Sequence, residues 1–139
     1  MSRSALQAVN VSNQNVAEGG LINVGTIKLR FGRDLGVNNG SVIVKTCGYY
    51  NLSFTITVQP TAVGGVSVQL QHNGVDIPGI VSYGYATAEN QNVTLNLSTL
   101  VRIACNNGCP CESIPDTFSA VLTSGAGIVT SVVAEAIRQ

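Results

Sequence analysis

Charge is what this 139-residue sequence has least of: seven basic and seven acidic residues make up 10 % of it, and they cancel. Soluble domains ordinarily carry about 25 %. No basic run extends beyond Lys28, Arg30 and Arg33. Phosphate backbones are held by collected positive patches, so nucleic acid is not an expected partner. A continuous apolar segment is also missing. The opening MSRSALQAVNVSNQNVAEGG is interrupted by Gln7 and Asn10, unlike a secretory signal. Thr46 to Val75 carries no formal charge but is punctured by Asn51, Ser53, Gln59, Gln69 and Gln71, which excludes a spanning helix. The expectation is a soluble chain with no Sec export and no membrane partner.

Without charge, the surface must be built from Asn, Gln, Ser, Thr and Gly. A small domain near zero net charge has little long-range repulsion to keep copies apart. A closed oligomer removes the danger by burying the sticky surface. One domain is expected, since a chain of this length buries roughly two-thirds of the surface it exposes when open.

What the sequence does have is a period of two. In GYYNLSFTITVQP, Tyr50, Leu52, Phe54, Ile56 and Val58 share one parity, while Tyr49, Asn51, Ser53, Thr55, Thr57 and Gln59 share the other. That is a strand with one buried face, ended by Pro60. VSVQLQH then runs into Asn73-Gly74, the dipeptide best suited to a two-residue type I′ turn. Such a turn pairs His72 with Val75, Gln71 with Asp76 and Leu70 with Ile77. Val93, Leu95, Leu97, Val101, Ile103 and Cys105 keep one parity, TFSAVLTS and GIVTSVVAEAI close the chain, and Leu21 to Phe31 and Val42 to Lys45 supply early strands. Fifteen glycines leave little room for a helix of ten or more residues. About nine or ten short strands in this pattern signal an all-β antiparallel sandwich of two sheets. Residues 1–18 are polar with weak periodicity and read as an N-terminal arm, with the folded domain over 19–139.

Chemistry is poorly served. His72 is the sole histidine, and the hairpin register points it away from Asp76, so no Ser/His/Asp triad forms there. The acids are scattered singly, Gly19-Gly20 and Gly64-Gly65 read as turns, and the expectation is no catalytic residue, no metal and no cofactor. The densest oddity is CNNGCPCES, with Cys105, Cys109 and Cys111 close together and Cys47 far upstream. These spacings fit zinc poorly. Reduced thiols are the favoured reading, and a loop disulfide among Cys105, Cys109 and Cys111 is the alternative. Sequons at Asn10, Asn51, Asn92 and Asn96 carry little weight in so Asn-rich a chain. Aromatic rings on otherwise small, polar faces mark Phe31, Tyr49, Tyr83 and Tyr85 as candidates for a self-association interface.

GYYNLSFTITV resembles the Gly-x-Tyr-x-Phe strand of complement-type globular heads, which are tumour-necrosis-factor-like jelly rolls, through Gly48 and Tyr50, with Leu52 at the Phe position. VSVQLQHNGVDIPG is similar to the hairpin that follows in that family, through Asn73, Gly74, Pro78 and Gly79. TFSAVL resembles its Thr-Phe-Ser-Gly strand through Thr117, Phe118 and Ser119, with Ala120 in place of glycine. The likeness spans Leu21 to Ile137 and extends to the heads of bacterial collagen-like spore-surface glycoproteins and to short phage proteins of Firmicutes. It implies a ten-stranded jelly roll assembled as a homotrimer, non-enzymatic, serving as a displayed or adhesive head. The collagen stalk is absent, and no acidic cluster matches the calcium sites of some relatives.

The resulting expectation is a trimeric virion component, assembled in the bacterial cytoplasm: a capsid decoration, head fibre or receptor-binding head held to a capsid protein by the 1–18 arm. The alternative is a lectin-like head on a spore or cell surface, binding a glycan through loops such as Thr87 to Gln91 or Asn106 to Ser113.

Overall fold

The computed structural model describes residues 4–88, 90–104 and 116–139. One antiparallel sheet runs β10 (Val93–Ile103), β7 (Gly48–Pro60), β12 (Gly127–Arg138), β1 (Ala5–Asn10) and β4 (Thr26–Phe31), with the short β2 (Gln14–Val16) paired to β12. The second runs β5 (Leu35–Asn38), β6 (Ser41–Val44), β11 (Asp116–Ser124), β8 (Gly64–His72) and β9 (Val75–Ala86), with β3 (Leu21–Ile22) paired to β11. After β4 the chain passes back and forth between the sheets, as in a jelly roll. No described residue is helical, so no helix here is long and apolar enough to cross a membrane.

The alternation in β7 sets the core. Tyr50, Leu52, Phe54, Ile56 and Val58 are all buried, and Leu95 and Leu97 of β10 extend the same layer. Val66, Val68 and Leu70 of β8, with Phe118, Ala120 and Leu122 of β11, answer from the facing sheet. Each large apolar side chain fully buried this way contributes roughly 1.5–3 kcal/mol.

The N-terminal segment corrects the expectation of an arm. Ala5–Asn10 lies between β12 and β4, paired on both sides, and Leu6 and Ala8 are buried in the core. Val16 of β2 is buried too. The physical reason is fit: Ala8 sits opposite Ala134, where two small side chains let β1 pack into the sheet's middle. Gly25 closes this corner. It holds φ +85°, and a Cβ there would run into the Val9 carbonyl oxygen and Asn10, so only glycine fits.

The β8–β9 hairpin turns at Asn73 (φ 53°) and Gly74 (φ 83°), pairing His72 with Val75 and Gln71 with Asp76 as expected. The expected Leu70–Ile77 pair does not form, because the register shifts and Gln69 pairs with Val81. Pro78 has no N–H to give the ladder and Gly79 turns at φ 83°, so the strand bulges outward. The Gln69 amide fills the gap, donating to the Leu70 and Ile77 carbonyls at 3.0 and 2.8 Å. A second hairpin of the same type joins β5 to β6 through Asn39 (φ 52°) and Gly40 (φ 77°).

Candidate self-association interface

The face of the β10-β7-β12-β1-β4 sheet turned away from the core is uncovered among the described residues. Period-two geometry puts Tyr49, Asn51, Ser53, Thr55 and Thr57 of β7 on it, and the strand registers assemble its rows. Phe31 stands opposite Ala5, Ala5 opposite Ile137, Ile137 opposite Asn51, and Asn51 opposite Leu100. Phe31 is 67 % exposed, Leu100 58 % and Ile137 50 %, and Leu29 beside them is 63 % exposed. Four large apolar side chains thus form a belt near one end of the face, interrupted by Asn51 between Ile137 and Leu100. The next row runs Leu29, Gln7, Glu135, Ser53 and Ser98; beyond it Val9 and Val133 stand in the row of Thr55, which donates to the Asn96 amide oxygen at 2.9 Å, and Thr57 meets Thr94 at 3.3 Å.

Beside β4 the belt dips into a groove of about 370 Å³, floored by Leu29, Phe31, Ala5 and Ile137 and edged by Arg30 and Glu135. Glu135 meets no cation among the described residues; its one hydrogen bond comes from the Gln7 amide at 3.5 Å.

The four aromatic candidates do not form one patch. Phe31 and Tyr49 lie on this open face, while Tyr83 and Tyr85 project from β9, at the edge of the other sheet, 76 % and 64 % exposed. Leu29, Leu100 and Ile137 were the residues sequence reading missed. Leu29 shares its parity with Phe31 in TIKLRF, so that signal was present, but Leu100 interrupts the parity of Leu97 and Val101, and Ile137 is set only by the register of β12.

At the end of the sandwich where the belt lies, polar groups lock the two chain ends together. The Arg138 guanidinium donates to Asp34 Oδ2 at 2.9 Å and to the Cys47 carbonyl at 3.0 Å, and the Ser4 hydroxyl donates to Asp34 at 2.6 Å. Gly48 (φ +144°) makes room, because a Cβ there would sit 3.0 Å from Arg138 Nε. Tyr50, its ring buried, donates to the Thr46 carbonyl at 3.0 Å. Burial pushes its phenol pKa up. The Ser4 hydroxyl holds the Asp34 carboxyl below the ordinary 3.8, helped by Arg138 and Thr46 and opposed by desolvation. A depressed carboxylate stabilises the fold above its unfolded pKa, and that stabilisation is lost as pH falls through the folded value. Asp34→Asn is therefore expected to cost about 1–3 kcal/mol at pH 7, with wild type and variant converging below pH 4. Urea melts across that window check it.

Cys47, in the turn before β7, is disulfide-bonded, which corrects the reduced reading for that residue. Cys105, Cys109 and Cys111, and the loop from Asn106 to Ser113, lie outside the described residues.

His72 does not approach Asp76, whose carboxylate is taken by the Gln71 amide at 2.9 Å. It meets Asp116 at 2.8 Å instead and stacks on Phe118 with ring centroids 4.6 Å apart. Asn73 donates to the same Asp116 oxygen at 3.2 Å and receives the Thr117 N–H at 2.8 Å. These bonds seat the hairpin on β11; no serine, threonine or cysteine hydroxyl or thiol is hydrogen-bonded to the ring among the described residues. Nor do these residues contain a group of three His, Cys, Asp or Glu that could hold a metal.

No known family profile matches the chain, and no curated protein does. Solved structures do. Murine APRIL matches at TM-score 0.68 with 14 % identity over 99 % of this chain and all of that one. The globular domain of zebrafish complement 1qA matches at 0.66 with 9 % identity over 94 % of both. PRD1 vertex protein P5 matches at 0.61 with 14 % identity over 98 % of this chain and 96 % of that one. Identities this low establish fold: the chain is a TNF-like jelly roll of two antiparallel sheets.

Proposed function

We propose that this chain is the subunit of a non-enzymatic homotrimeric head, built to present a surface rather than to perform chemistry. One observation carries the reading: Leu29, Phe31, Leu100 and Ile137 form an apolar belt on a sheet face that the chain leaves uncovered. Apolar patches of this kind mark surfaces that meet a partner. The partner is the chain itself, because seven basic and seven acidic residues cancel, and the fold is shared with complement and TNF-type heads.

The geometry of the ends suits display. Ser4 and Arg138 are joined by a backbone hydrogen bond of 2.8 Å, so a segment attached to either end leaves at the same pole. The opposite pole carries the loop after β9, where Gln91 Oε1 accepts the Thr87 N–H, the Thr87 hydroxyl and the Ala88 N–H at 2.7, 3.0 and 3.3 Å. One side chain thus holds an outward loop in a fixed shape, as a displayed head requires. The fold shared with a vertex protein supports a virion as the setting; detection of the chain in purified particles tests that placement, and its absence from them favours a spore or cell surface.

Light scattering tests the assembly. Wild type is expected at three times the 14.4 kDa of one chain, and Phe31→Asp, a change at an exposed site that leaves the fold intact, at the mass of one. A wild-type protein that runs as a monomer at micromolar concentration overturns the reading.

A further inference from the structure

Three asparagines in this chain stand directly before a glycine: Asn39, Asn73 and Asn107. The third lies outside the described residues. Such a pair is chemically labile, because glycine has no side chain to keep its nitrogen away from the amide carbon of the residue before it. The two described pairs occupy the same kind of two-residue turn, with φ 52° and 77° at Asn39-Gly40 and 53° and 83° at Asn73-Gly74. Backbone shape therefore treats both sites alike. What surrounds the two side chains differs. Asn73 is stitched to β11: its N–H donates to the Thr117 carbonyl at 2.8 Å, its amide oxygen accepts the Thr117 N–H at 2.8 Å, and its amide nitrogen donates to Asp116 at 3.2 Å. The Asp116 carboxylate also sets negative charge beside the turn, which opposes loss of a proton from the Gly74 nitrogen. Asn39 has none of this. It is exposed, and its side chain has no hydrogen bond among the described residues. The Val24 N–H pins its turn through the Gly40 carbonyl at 3.1 Å, which leaves the Asn39 amide free to swing.

We infer that Asn39 is a site of spontaneous modification, converted by water to aspartate and isoaspartate, and that Asn73 is protected from the same reaction. Base takes the Gly40 N–H proton and the nitrogen attacks Asn39 Cγ. The new C–N bond closes a succinimide ring, and the side-chain nitrogen leaves as ammonia. Water then opens the ring at either carbonyl. Ring closure needs the turn to open for a moment. β5 is an outer strand of its sheet, where local opening costs least. The product carries one carboxylate more, which tips an equal balance of seven acids and seven bases to the acidic side. Age thus gives each copy some of the mutual repulsion that its sequence lacks. The isoaspartyl product also lengthens the backbone by a methylene, inside a turn that pairs Asn38 with Ser41, so the β5–β6 hairpin loosens with it.

Peptide mapping by mass spectrometry, on the full chain held at mildly alkaline pH, tests this. Asn39 should convert at least about tenfold faster than Asn73, a ratio set by the hydrogen bonds that hold the second side chain. In urea the two rates should converge, since both sites are then asparagine before glycine in an open chain. Asp116→Ala takes away one tether and the local charge, so it should speed Asn73 and leave Asn39 unchanged; if that variant does not fold, the wild-type comparison in buffer and in urea decides alone. Equal rates at the two sites in the folded protein, faster conversion of Asn73, or an Asn39 that stays intact while the urea-unfolded chain converts each overturn the inference. None of these outcomes bears on the trimer.

Discussion

A chain lacking residues 1–18 is expected to lose its cooperative fold. β1 is hydrogen-bonded to β12 on one side and β4 on the other. Removing it orphans both ladders, opens the core where Leu6 and Ala8 are buried, and leaves β4 with no strand to join. Val16, buried in β2 against the end of β12, goes with it. Leu6 alone accounts for roughly 1.5–3 kcal/mol of apolar burial, and the lost ladders add to it, against a total stability of about 5–15 kcal/mol for a domain. The truncated chain should show no strand signal by far-UV circular dichroism and no thermal transition. Wild-type melting after the deletion would return the segment to the status of an arm.

Breaking the Cys47 disulfide is expected to lower stability by about 2–4 kcal/mol, the usual worth of a cross-link that restricts the unfolded chain. Cys47→Ser and wild type under reductant should lose the same increment in urea, and reductant should have no further effect on Cys47→Ser. Equal midpoints for oxidised and reduced wild type would show that the bond contributes nothing. The turn it ties also carries the Cys47 carbonyl that receives Arg138, so the loss should be felt first where the chain ends meet.

Most of the sandwich was written in period two. The single parity of Tyr50 to Val58 set β7, and Asn73-Gly74 set the β8–β9 hairpin to within the first two pairs. The bulge that follows was harder to see, although Pro78 and Gly79 are the residues that make it. β1 stayed hidden because alanine is a weak strand former and Leu6 and Ala8 are its only two core residues. Their importance comes from partners more than 120 positions away in β12. The exposed apolar face proposed as an interface was half legible. Phe31 and Tyr49 could be picked out as aromatic residues on a polar background, but the belt is a property of four strands in register, and no local window holds Phe31, Ile137 and Leu100 together. The Asp116 partner of His72 is likewise supplied by tertiary structure, 44 positions along the chain.

The bond between Arg138 N and Ser4 O makes the backbone almost a loop without ends. A short peptide could join the two, and the chain could then be opened elsewhere, for instance at the exposed Asn39 turn between β5 and β6, to give a circularly permuted protein with the same architecture. Cargo fused at those new ends would leave beside Asn23 and Val24, which pack on Gly40, rather than at the Arg138–Ser4 contact.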